Sequence, residues 1–337
     1  MRPRTVKRPC LSALVLVPIA LLLAGRAAAE PPAHADSPRR TDKSPAGAAA
    51  LSVLFPGAGH FYLGDPATGA GLSALGALEL GALVGTALDG WPEGGLDADP
   101  SFMLSALWYQ NTWLYGIFAA WRDARLARDG QDLHHPLPGE NLDDLLWAPF
   151  DPDTFFEPEV ALGLVGMLGL GVLATWLISD HLVGQGGTVF ERDELRFMGQ
   201  RLHPGLGAPL GEVYYLGLFA PVGIGEEAFF RGLVQTSLSE RVGDWGGWAL
   251  SSLIFAAAHA PNAMAIEDEQ EQLRYLTIGL PLMALTGAYL GWVYMHNHYS
   301  LKESVALHFW YDFLLSSLSF ALDPDGQPFA VRICMPF

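Results

Sequence analysis

Charge is scarce in this chain, and basic charge scarcer still. Of 337 residues only 16% are Asp, Glu, Lys or Arg, well under the quarter usual for a soluble domain. Nineteen Lys and Arg stand against 36 Asp and Glu, a formal net charge of −17. That acidic balance argues against nucleic acid as a partner. Cysteine is nearly absent, with Cys10 and Cys334 the only two. Cys10 lies ahead of the N-terminal apolar run and so makes no lipoprotein box. Once that segment is removed, Cys334 stands alone, which leaves neither an internal disulfide nor paired thiol chemistry. There is no internal repeat, no Walker glycine loop for phosphate and no paired-cysteine metal motif.

Apolar residues are plentiful, 50% of the chain, and they cluster. Runs near 67–88, 102–121, 160–179, 208–224, 246–260, 275–296 and 302–321 reach or approach the roughly 20 residues that cross hydrocarbon as a helix. They predict an all-α fold, a polytopic transmembrane helix bundle of about seven or eight spans. The eighth would be 48–63, GAAALSVLFPGAGHFY, which a Pro-Gly pair interrupts. Ahead of these, MRPRTVKRPCLSALVLVPIALLLAGRAAAEPP has a basic start and an apolar stretch from Leu11 to Gly25, with small residues ending at Ala29. That is the pattern of a secretory signal peptide over residues 1–29, an uncleaved anchor helix being the alternative. Losing its five basic residues (Arg2, Arg4, Lys7, Arg8 and Arg26) takes the net charge to −22.

Residues 30–46 are polar and Pro-rich and read as a tether. Residues 47–128 form an N-terminal transmembrane unit. Its PGAGHFYLGD at 56–65 resembles the signature of small bacterial transmembrane-hairpin domains. A helix–turn–helix hairpin follows, with glycines for a tight turn and His60 at the interface. Glu79, alone in ALELGALVG, must face the bundle or a polar partner. Arg122, Arg125 and Arg128 follow the 102–121 run and mark that end as cytoplasmic, with the acidic DGWPEGGLDADP facing outward. Residues 129–158 read as an extramembrane connector with little regular structure, its His134–His135 pair solvated. A second unit covers 159–322 and a C-terminal tail 323–337. In that unit DHLVGQGGTVFERDELRFMGQRL predicts a short surface helix, and His296 and His298 read as interfacial anchors.

Against this background GEEAFFRG at 225–232 needs an explanation. Three uncompensated charges in mid-bilayer would cost on the order of 8 to 10 kcal/mol, comparable with the whole stability of a domain. Glu227 and Arg231 are four apart, acid before base, and can pair along one helix face. Glu226 is turned about 100° away and lacks that partner. An unpaired intramembrane carboxylate marks a functional site by default. Two later apolar segments carry one polar pattern each: Phe255 with His259 in SSLIFAAAHAPN, and His308 with Asp312 in ESVALHFWYDFLL.

Taken together, Glu226-Glu227-x-x-x-Arg231, Phe255-x-x-x-His259 and His308-x-x-x-Asp312 resemble the signature of the CAAX prenyl endopeptidase and bacteriocin-processing (CPBP) family of glutamate-dependent intramembrane proteases. The likeness covers about residues 160–322 and does not extend to 30–150. It implies a protease acting on membrane-embedded or lipidated polypeptides. Glu226 would be the base, His259 its neighbour on the water, and His308 and Asp312 would complete the catalytic set, with Glu227, Arg231 and Phe255 in support. The Ala-rich signal looks bacterial, so the expected setting is the inner membrane, with lipids and a polypeptide substrate as partners.

The residues support the same chemistry independently. Peptide hydrolysis needs an activated water, a proton for the leaving amine and a donor to the oxyanion. Glu226 in a poorly hydrated cavity is a stronger base than a solvated carboxylate, and His308 can donate to the developing charge. Asp312 departs from the Asn of many relatives, and an ionised Asp cannot donate; it is expected to orient His308, as the carboxylate of a serine protease triad orients its His. No cofactor is required, although one carboxylate and two histidines leave zinc open. A non-catalytic membrane scaffold or self-immunity protein of the same family is the alternative function.

Overall fold

The computed structural model describes residues 42–88, 100–130, 135–179, 182, 187–197, 200–266 and 268–324. The signal-peptide segment, most of the tether, the acidic loop at 89–99, His134, both cysteines and the tail beyond 324 lie outside them. The chain opens with α1 (Pro45–Leu54), α2 (Ala58–Leu63), α3 (Pro66–Leu88) and α4 (Pro100–Asp129). Next come α5 (Leu142–Trp147), α6 (Pro152–Phe155) and α7 (Pro158–Ser179), then a hairpin of β1 (Leu195–Phe197) and β2 (Gln200–Leu202). The last helices are α8 (Pro204–Glu227), α9 (Thr236–Val242), α10 (Asp244–Ala258), α11 (Glu269–Arg274), α12 (Leu280–His296) and α13 (Lys302–Leu322). Two π-helical stretches, Ala228–Gln235 and Tyr275–Gly279, join α8 to α9 and α11 to α12. Six helices begin on proline. There its fixed φ suits the helix and its missing N–H is not needed.

Each of the seven apolar runs lies on a helix. Four helical segments are long and apolar enough to cross a membrane: α3, α7, Glu269–His296 and α13. α4 and α8 have the length but not the apolarity, and α10 has 15 residues. Leu162, Val165 and Trp176 stand exposed on α7, as a face turned to lipid would. The core has α13 at its centre. Phe309 packs with Leu107 and Trp108 of α4 and with Leu218 and Phe219 of α8, while Leu307 and Tyr311 pack with Leu164 of α7 and Leu290 of α12.

Several details differ from the expectations. Residues 48–63 are not one span, because the helix breaks at Phe55–Gly57. Gly57 takes φ +86°, and a Cβ there would collide with the Gly69 carbonyl oxygen; the tight turn of the hairpin holds. His60 is fully buried rather than interfacial, its Nε2 3.3 Å from Asp123 Oδ2. The connector is more regular than its composition suggested. Asn141 and Asp144 cap α5 reciprocally, and Asp151 caps α6, so short helical turns form despite the prolines. His135 is buried, with Nε2 3.0 Å from Asp244 Oδ1, and this contact holds the Asp244 carboxyl below its usual range. In place of the surface helix there is the β hairpin, register Leu195 with Leu202, with Leu195 buried beside Gly207. The alternation of LRF has the period of a strand. His296 ends α12, its ring stacked on Trp292.

The N-terminal unit is joined to the second unit along a whole helix. Tyr214 OH donates to Pro100 O at 3.0 Å and Trp108 Nε1 to Gly217 O at 2.9 Å. Asn111 then lies against Gly225 and Phe118 against Gly232. Arg125 makes a bidentate pair with Glu240 at 2.9 and 2.7 Å. Partner numbers rise together, so α4 and α8 run parallel. Gly225 and Gly232 allow the close approach.

Candidate active site

Glu226 and Glu227 are the last residues of α8, where regular hydrogen bonding gives way to the π stretch. Such widened turns recur at functional sites. Both carboxylates are buried, Glu227 completely. Arg231 keeps the expected pairing, its Nε 3.2 Å from Glu227 Oε2. Its Nη2 also donates to Gly287 O of α12 at 3.2 Å, and its guanidinium carbon sits 4.4 Å from the Phe255 ring centroid, a cation–π contact that holds a desolvated charge. The Phe255 ring lies 4.6 Å from the His259 ring and 6.2 Å from that of His308.

His259 closes α10. Its Nδ1 donates to Phe255 O at 2.7 Å, which leaves Nε2 facing Glu226 Oε2 at 3.8 Å. A carbonyl can only accept, so in the neutral ring Nε2 presents a lone pair. His308 enters from α13. Its Nδ1 is 2.8 Å from Glu227 Oε1, while Nε2 is 3.4 Å from Asp312 Oδ2 and 3.9 Å from Glu226 Oε2. Glu227 therefore makes the triad-like contact to Nδ1, and Asp312 meets His308 on the other nitrogen. Within this cluster Glu226 Oε2 accepts no hydrogen bond from the described residues.

All seven residues singled out from the sequence thus converge. Three helices and the π stretch that carries Arg231 supply them, with the carboxylates coming from α8 and α13. No three His, Cys, Asp or Glu side chains among the described residues are arranged to hold a metal ion. Sequence reasoning missed the contact between Glu227 and His308, for which spacing gives no sign. It also missed Asn111 and Asn262, polar residues in apolar surroundings that could have been flagged as Glu226 was.

Fold and cluster define a multi-pass membrane protein with a buried carboxylate–imidazole centre. Residues 208–314 match the family model described as type II CAAX prenyl endopeptidase Rce1-like, so this segment is similar to the CAAX-type intramembrane proteases. The match runs from α8 into α13 and contains every residue of the cluster. No curated protein and no solved structure matches the chain.

Proposed function

We propose that the protein is an intramembrane endopeptidase that hydrolyses peptide bonds of membrane-embedded or lipidated polypeptides in a bacterial inner membrane. One observation carries this reading: Glu226 Oε2 lies 3.8 Å from His259 Nε2 and 3.9 Å from His308 Nε2. These gaps exceed a direct hydrogen bond and suit a water held among the three groups.

Glu226 removes a proton as the water oxygen attacks the scissile carbonyl carbon, and the π pair moves to the carbonyl oxygen. His259, with a lone pair on Nε2, orients that water. The oxyanion then reforms the carbonyl, the C–N bond breaks, and the proton held by Glu226 passes to the leaving amine. Glu227 and Arg231 fix the ring of His308, and Phe255 fixes the spacing of both imidazoles. The reaction calls for no cofactor and no nucleic acid; its partners are lipid and a polypeptide.

The test is cleavage of a lipid-modified peptide library by purified protein in liposomes, wild type beside Glu226→Ala, with and without a chelator. Cleavage by wild type that survives chelation and is lost in a normally melting Glu226→Ala supports the reading. No cleavage by either protein, with a much lower melting temperature for the variant, would make the cluster structural and favour the scaffold. Loss of activity on chelation would favour the zinc alternative.

A further inference from the structure

The proposed reaction creates an oxyanion in a site crowded with carboxylates. Glu226, Glu227 and Asp312 are all buried there, with Arg231 engaged through Nε by Glu227 and through Nη2 by Gly287, while its Nη1 has no hydrogen-bond partner among the described residues. His308 has carboxylates at both nitrogens. Asp312, when ionised, offers only acceptors. Besides the Arg231 guanidinium, which is held beside Glu227, the four carboxylate and imidazole groups named here supply no neutral amide donor, and one stands just past His259.

Asn262 has the properties required. It lies in the 3₁₀ turn Ala260–Ala265 that follows His259, and its backbone N donates to His259 O at 3.1 Å. In that geometry side chains three apart eclipse, so Asn262 stands on the same face as His259. Pro261 stiffens the turn between them, and Tyr275 OH anchors it through His259 O at 2.9 Å. Asn262 is only 2% exposed, yet neither Nδ2 nor Oδ1 has a hydrogen-bond partner among the described residues. A buried amide without partners is a standing cost to the fold. Such a cost persists where function requires the group.

We infer that Asn262 is a catalytic residue whose Nδ2–H donates to the oxyanion formed on the scissile carbonyl. This rests on the hydrolysis proposed above. The bond is made only once the carbonyl π pair has moved onto oxygen, and it weakens again as the C–N bond breaks, so Asn262 neither gains nor loses a proton.

Four full-length proteins in liposomes test it: wild type, Glu226→Gln, Asn262→Ala and Asn262→Asp. The substrate is an internally quenched version of whichever lipidated peptide the wild type cleaves. Loss of one oxyanion donor lowers kcat by about 100- to 1,000-fold, and that fall is expected for Asn262→Ala with KM within about twofold. Asn262→Asp, the same shape without the donor, is expected to be at least as slow. Because no hydrogen bond is lost, the melting temperature of Asn262→Ala should hold or rise, whereas a structural asparagine would lower it. Wild-type kcat in Asn262→Ala, while Glu226→Gln is dead, overturns the assignment and leaves the protease reading intact. A parallel fall in kcat and melting temperature in both Asn262 variants also overturns it, as a packing role. An active Glu226→Gln, or no cleavage by wild type, removes the hydrolysis itself and this inference with it.

Discussion

At the scale of single residues, the site depends on which nitrogen of His308 meets which carboxylate. Glu227 holds Nδ1 at 2.8 Å and Asp312 faces Nε2 at 3.4 Å. Asp312→Asn keeps the shape but removes the charge beside the nitrogen that looks toward Glu226. It is expected to lower kcat by at least about tenfold, or about 1.4 kcal/mol of transition-state stabilisation, without changing the melting temperature; equal activity in steady-state assays would count against a role for that carboxylate. The identities of Glu226, Arg231, His259 and His308 were readable from the chain because a charged or polar residue in an apolar helix is costly enough to demand a reason. Their wiring was not. Spacing within one helix gives the Glu227–Arg231 pair, but contacts between α8 and α13 depend on how two helices sit together.

At the scale of elements, the seam between α4 and α8 places Glu226. A Cβ on Gly225 would stand 2.5 Å from Asn111 Oδ1, and Gly232 packs directly against the Phe118 ring. Forcing extra atoms into such a contact costs about 1 to 3 kcal/mol. Gly225→Ala is therefore expected to lower both melting temperature and kcat, because the displaced backbone carries the next residue. Adding Asn111→Ala should restore part of both, read as a coupling in a double-mutant cycle; strictly additive effects would show that the helices do not press on one another there. Helix positions were legible from apolar runs. The hairpin at 195–202 and the turns of the connector were not, since a run of mixed residues has several local solutions and neighbours such as Gly207 decide among them.

At the scale of the molecule, the N-terminal unit lies outside the matched segment 208–314 yet supplies one side of the seam. Leu107, Trp108 and Phe118 are buried against or beside α8, so a chain without α1–α4 would expose their partners Leu218, Phe219 and Ile224 to lipid as an unmatched face. A protein starting at residue 135 is expected to lose cleavage and to melt at a lower temperature or fail to accumulate; a stable, fully active fragment in the same liposome assay would make the unit dispensable. The sequence showed this unit as a separate membrane segment because nothing in a linear pattern records which helices run side by side.

One dimension of α10 bears on how the second reactant arrives. Fifteen residues rise about 22 Å, less than the roughly 30 Å of a hydrocarbon core. A helix with its Asp244 end at one membrane face therefore ends, at His259, below the other face. Beyond it lies a turn with Asn262 and the acidic residues Asp268, Glu269 and Glu271 rather than another turn of apolar helix. In the proposed hydrolysis, a route for water past the end of this short helix has less hydrocarbon to cross than one along a full-length span.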